Sequence, residues 1–269
     1  MKTDADIQSI EISQALESWY AKHYGSELCE LIRERMRPLL DRAFGYHILQ
    51  MGPLPALSLL DGSTINHRMY ASGGGVPGVS LCCHGDELPL ETASVDMLVA
   101  FHALEFDAHP HGSLREMQRV LRPQGHLVII GFNPRSLFGF SHYLRRFRRG
   151  SLWQRHHPVS LHRLTDWLHL LDCELDSIQH LFPLPMPAQR GRGTRRRGLA
   201  ERVDQFAAKH QLPGGSLYIA HAMKQIGGVR RPRLVPLRTR DRFVGLAVAG
   251  SPSPTPRHPS RESSSDLAS

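Results

Sequence analysis

The chain has 269 residues, 41% of them hydrophobic, with a formal net charge of +8, enough for one full α/β domain and a tail. Its longest strongly apolar run, LVII at 127–130, is far too short to cross a bilayer, which argues against a membrane-spanning helix. The opening stretch MKTDADIQSIEIS carries acidic residues and no apolar h-region, so a cytoplasmic protein is expected.

From Ile7 to about Ala43 the apolar spacing is helical, with Ile10, Ile12, Leu16 and Tyr20 in a first segment and Leu28, Leu31, Ile32, Met36, Leu39 and Leu40 in a second. Gly25 is read as the break, Ser26 as the cap of the second helix and Pro38 as a kink. GYHILQMG (45–52) predicts a first strand, followed by a short helix around Leu54 to Leu60. INHRMYA (65–71) predicts a second strand, and SGGGVPGVS (72–80) a loop.

A short apolar run at 79–83 then leads into an acidic loop, and VDMLVAF (95–101) reads as a buried strand. The next helix shows Leu114, Met117, Val120 and Leu121 on one face and is expected to stop at Pro123 and Gly125, before the strand HLVIIGF (126–132). Alternating strands and helices at this spacing predict βαβ units and a mainly parallel sheet. After an Arg-rich, aromatic loop (136–157), a helix capped by Ser160 carries Leu161, Leu164, Trp167, Leu168 and Leu171. Strands are expected at 173–182 and 215–225.

Charge is divided along the chain: residues 1–189 hold 17 Lys/Arg against 20 Asp/Glu, and residues 190–269 hold 16 against 5. Beyond about Gly227 the composition is Arg, Pro and Ser with few apolar residues, which predicts a disordered basic tail. Three organisational units follow: N-terminal helices (1–44), a central domain (45–226) and the tail (227–269). The four cysteines, Cys29, Cys82, Cys83 and Cys173, have no CxxC spacing and are expected as reduced thiols. None of the 17 histidines falls in an HExxH or Cys/His pattern, so no metal site is assigned.

The stretches GDELPLETASVDMLVAFHALEF (85–106) and LREMQRVLRPQGHLVIIGF (114–132) place acid loop, strand, helix and Pro-x-Gly turn in one order. In this the chain resembles the class I S-adenosylmethionine-dependent methyltransferases of the type-11 group. The resemblance implies a doubly wound, mostly parallel seven-stranded sheet, the Rossmann-like methyltransferase fold, with S-adenosylmethionine as cofactor. It further implies that Asp86 accepts a hydrogen bond from the adenine amino group with the Glu87 backbone alongside, and that Phe101 and His102 line the methionine side. Gln50, Met51 and Gly52 would form the loop after the first strand. His102 is the candidate catalytic base, needed only if the acceptor must lose a proton. Without the resemblance, Asp86 also reads as a helix or turn cap.

Two departures from the family pattern stand out. Its GxGxG-like loop after the first strand is reduced to Gly52, followed by Pro53 and Pro55, each of which lacks an amide donor. No Asp or Glu occurs between Asp61 and Asp86, so the carboxylate expected at the end of strand two for the ribose hydroxyls is missing. Asn66, His67, Tyr70 and Ser72 are the neutral substitutes nearby. The glycine run 73–75 reads as a flexible connection.

The strand-four end, AFHA, lacks the Asn-Pro-Pro-aromatic signature of enzymes that methylate planar amino groups. RRFRR (145–149), RGRGTRRR (190–197) and RRPRLVPLRTR (230–240) permit nonspecific, salt-sensitive RNA contact, with Phe147 or Trp153 available for stacking. Two functions therefore fit the sequence. One is a methyltransferase with an unidentified methyl acceptor; the other is a catalytically silent domain of the same fold that binds a partner or RNA.

Overall fold

A computed structural model describes residues 4–134, 136, 152–181 and 215–226, all within one unit, Met1–Arg230. The three basic segments, Phe147 and the tail lie outside the described residues. Two helices, α1 (Asp4–Tyr20) and α2 (His23–Leu40), precede strands β1 (His47–Met51), β2 (His67–Ser72), β3 (Leu81–Cys82) and β4 (Val95–Phe101). Helix α3 (Pro110–Val120), strand β5 (Leu121–Phe132), a 3-10 turn (Leu152–Gln154), helix α4 (Leu161–Leu170) and strands β6 (Cys173–Leu181) and β7 (Leu217–Lys224) complete the described elements. Among the described residues no helix is long and apolar enough to cross a membrane.

The seven strands form one sheet in the order β3-β2-β1-β4-β5-β7-β6. All pairings from β3 to β5 are parallel, whereas β7 runs antiparallel to both β5 and β6. The expected doubly wound, mostly parallel seven-stranded sheet is therefore present. Every residue of β4 is buried because helices cover both faces of the sheet. On one face Ile48, Met97, Val99, Val128 and Ile219 pack with Leu16 of α1 and Ile32 and Met36 of α2. On the other, Leu49, Leu98, Leu127 and Ala220 pack with Leu114 and Met117 of α3 and Leu164 and Leu168 of α4.

The N-terminal break falls at Ala21 and Lys22, not at Gly25. Lys22 is the N-cap of α2 and makes no side-chain cap, so Ser26 is an interior residue. Gly25 instead permits contact between the two helices. A Cβ there would lie 2.5 Å from the Trp19 carbonyl oxygen and from Tyr20 Cα. Pro38 lies inside α2, which continues to Leu40.

No helix forms between Leu54 and Leu60. The buried Gln50 side chain takes over the backbone groups a helix would use: its amide nitrogen donates to the carbonyls of Leu54 (3.2 Å) and Leu57 (2.9 Å), and its oxygen accepts from the Leu59 amide (2.9 Å). Pro53 and Pro55 further weaken any helix there. Helix α3 also ends earlier than the sequence implies, since Leu121 is already extended and pairs with Val95. Pro123 disfavours helical geometry at the residue before it. Residues 122–125 form an excursion before the β4 pairing resumes at His126.

Ser160 caps α4 as expected, its hydroxyl accepting from the Arg163 amide (3.4 Å). Trp153, read as a stacking surface for RNA, is buried instead. Its ring packs edge-on against Phe132 (5.5 Å between centroids) and Trp19 (6.4 Å).

Candidate active site

The sheet's strand order reverses at β1, which has β2 on one side and β4 on the other. In open α/β sheets this switch point opens a crevice beyond the carboxyl ends of the strands. A cavity of about 430 Å³ lies there, lined by Met51, Gly52 and Pro53 after β1, Ala71, Ser72 and Gly73 at the end of β2, and Cys83 to Glu87 after β3. Ala103 and residues 106–109 close it from the β4 side, and Gln8, Ser9 and Ile12 of α1 form the remaining wall. This volume lies within the range of small-molecule sites.

Gly52 is the fixed point of the β1 loop. Its φ is +143°, and a Cβ would lie 2.0 Å from the Phe101 carbonyl oxygen, so no other residue fits without moving β4. Its amide donates to the Ala71 carbonyl (3.1 Å) and is thereby spent on the sheet.

The acid loop is held on α3 by Arg119. Its guanidinium donates to the carbonyls of Leu88 and Leu90, to Thr92 Oγ1 and to both carboxylate oxygens of Glu116. Glu116 also accepts from the Leu88 amide (3.2 Å). The hydrogen bond from Arg119 lowers the Glu116 pKa, keeping the carboxylate ionised. The architectural reading of Arg119 corresponds to this brace.

Asp86 of the braced loop lines the cavity, and among the described residues no protein group hydrogen-bonds its carboxylate. Asp107 enters from the opposite side. One of its carboxylate oxygens accepts from the His109 amide (2.8 Å) and the other from the Ser113 hydroxyl, which fixes it at the start of α3. With Glu87, three carboxylates among the described residues line the cavity, and no described Lys or Arg does.

Of the sequence candidates, Met51, Gly52, Asp86 and Glu87 come together in this cavity. Gln50, Phe101 and His102 do not line it. Gln50 organises the β1 loop, and Phe101 is a core residue whose ring packs on Tyr20 (5.6 Å).

His102 is fully buried at φ +54°, a left-handed conformation that is uncommon for a non-glycine residue. Its Nδ1 lies 2.6 Å from Glu105 Oε2, and its Nε2 lies 2.6 Å from the Tyr20 hydroxyl. The ring stacks on Phe132 at 4.3 Å. Burial pushes the Glu105 carboxyl up, but the charge and hydrogen bond of His102, together with His156, bring it down to about 2. As an ionised acceptor, Glu105 receives a hydrogen bond from His102 Nδ1–H and another from the Phe132 amide. His156 Nε2 lies 3.5 Å from Glu105 Oε1, within ion-pair reach but without hydrogen-bond geometry.

Sequence reasoning missed the α1 wall, because no local pattern says which turn of a helix will face a distant loop. Asp107 does carry a signal, an acidic residue just ahead of a helix start.

The family described as "Methyltransferase domain" matches residues 60–129. Uncharacterized protein YafS of Escherichia coli K12 is 30% identical over 171 residues, which cover 64% of this chain and 70% of that protein. Two solved structures share the fold. One comes from the complex between the Haloferax volcanii Trm112 methyltransferase activator and a methyltransferase (TM-score 0.54, 16% identity, 81% of this chain and 100% of that one). The other is an S-adenosylmethionine-dependent methyltransferase of Thermotoga maritima (TM-score 0.52, 15% identity, 80% and 99%).

Proposed function

The chain belongs to the class I S-adenosylmethionine-dependent methyltransferases of the type-11 group, and from that premise we propose that its cavity binds S-adenosylmethionine for methyl transfer to an acceptor molecule. The observation that carries this reading is the charge of the cavity: Asp86, Glu87 and Asp107 line it, and among the described residues no Lys or Arg does. Such a wall suits a cationic sulfonium and repels the phosphates of a dinucleotide.

When bound, the cofactor supplies an electrophilic methyl group on sulfur. The protein's contribution is alignment, which is worth most in a displacement that needs little side-chain chemistry. Asp86, on a loop braced by Arg119, would accept a hydrogen bond from the adenine amino group. Met51, Gly52 and Ala103 supply apolar and backbone surface across the switch point. If the acceptor must lose a proton, the imidazoles within reach of the cavity are His84 and His109. His102 acts by positioning, since Glu105 and Tyr20 occupy both of its ring nitrogens.

A second reading, a catalytically silent domain that binds a partner, draws support from the β1 loop. Pro53 and Pro55 have no amide, and the Gly52 amide is bonded to Ala71, so the loop offers a ligand few donors. Calorimetric titration of the full chain with S-adenosylmethionine and S-adenosylhomocysteine decides between the two. Micromolar binding that Asp86→Ala weakens about tenfold, the worth of one charged hydrogen bond, supports the enzyme. No binding up to millimolar ligand supports the silent domain.

A further inference from the structure

Resting on the cofactor reading above, we infer that helix α1 replaces the missing strand-two carboxylate, with Gln8 as the group that binds the ribose hydroxyls. In open α/β folds that bind adenosine cofactors, the sugar lies against the end of the second strand, where a carboxylate usually receives its hydroxyl protons. Here that strand ends in Ser72 followed by Gly73, and no Asp or Glu occurs between Asp61 and Asp86.

The place is filled from elsewhere in the chain. Ser72, Gly73, Gln8 and Ser9 all line the same cavity. A Cβ on Gly73 would lie 2.7 Å from Ser9 Oγ, and one on Gly74 would lie 2.5 Å from the Asp6 carbonyl oxygen. The glycine run read as a flexible connection thus removes the side chains that would hold α1 away from the β2 end. Helix α1 is anchored at its far end by the Tyr20 hydrogen bond to His102, so its first turns are set against the site.

Gln8 suits the task chemically. Its amide oxygen accepts from one hydroxyl while its amide nitrogen donates to the neighbouring one, so a single neutral side chain serves a vicinal diol. It is exposed to the cavity rather than packed in the core. The resulting sugar site is neutral, in contrast with the acidic adenine end around Asp86.

The test is titration of the full chain and of Gln8→Ala with S-adenosylhomocysteine and with its 2′-deoxy and 3′-deoxy analogues. Gln8→Ala should weaken S-adenosylhomocysteine about three- to tenfold, the worth of a neutral hydrogen bond, and leave at least one deoxy analogue unchanged. Gln8→Glu, which restores a carboxylate acceptor, should retain or tighten binding of the hydroxyl-bearing ligand. An equal loss for all three ligands, or none, with wild-type binding intact, overturns the role of Gln8 and leaves the cofactor reading standing. Failure of the full chain to bind S-adenosylhomocysteine at all overturns both.

Discussion

The Tyr20 hydroxyl at the end of α1 lies 2.6 Å from His102 Nε2 at the end of β4, and neither residue is more than 3% exposed. This bond joins residues 82 apart in sequence and ties the N-terminal helix to the central strand beside the cavity. Tyr20→Phe keeps the ring packed and leaves a buried imidazole nitrogen without this partner. The expected loss is about 1–3 kcal/mol, read as a lower urea midpoint with an unchanged m-value.

Glu105 sets a pH dependence. Its folded pKa is depressed to about 2 from an ordinary value of 4.5. The stability it contributes is therefore fully present above about pH 4.5 and is lost as the pH falls through that value toward 2. Urea unfolding of the wild type from pH 6 down to pH 2.5 should show this decline, and Glu105→Gln should flatten it. Glu105→Ala, which takes the carboxylate away from His102 Nδ1 and from the Phe132 amide in the interior, should cost about 3–5 kcal/mol at neutral pH.

Gly52→Ala tests the β1 loop. The added methyl meets the Phe101 carbonyl at 2.0 Å on a backbone at φ +143°. We expect a loss of about 2–4 kcal/mol in unfolding free energy. Ligand binding should fall with it, because the loop and the β4 end cannot both keep their places.

Arg119→Lys removes a planar fork that makes five hydrogen bonds, three from α3 to the acid loop and two to Glu116 on α3 itself. A lysine ammonium reproduces only some of them. Stability should fall by about 1 kcal/mol, and amide hydrogen exchange should quicken across residues 84–92 while remaining unchanged in β4.

Asp107→Asn keeps an acceptor for the His109 amide and removes one of the three cavity charges. If the carboxylates favour the sulfonium, the variant should lose affinity for S-adenosylmethionine and retain it for the uncharged thioether S-adenosylhomocysteine. The ratio of the two dissociation constants, measured at low and at 0.5 M salt, checks this prediction, because screening should narrow the wild-type ratio.

Fold class was written in local pattern. The run VDMLVAF could only be a strand buried on both faces, and LREMQRV presents Leu114, Met117 and Val120 at helical spacing. The acid loop with its Pro-x-Gly sequel carried the family resemblance, and it put Asp86 and Glu87 in the cavity because neighbours in sequence stay neighbours in a tight loop. Helix ends were less legible. The boundary at Ala21 and Lys22 depends on Gly25 fitting under Trp19 and Tyr20, a contact no window of sequence contains.

By itself, then, the sequence determined the sheet, the order of its elements and the acidic side of the cavity, all of which follow from periodicities of two and 3.6 residues and from short motifs. Only the tertiary structure decided which face His102 would turn, and that Gln8 and Ser9 would stand opposite Ser72 and Gly73. Those outcomes depend on contacts between residues tens of positions apart, which chain packing settles and local spacing does not encode.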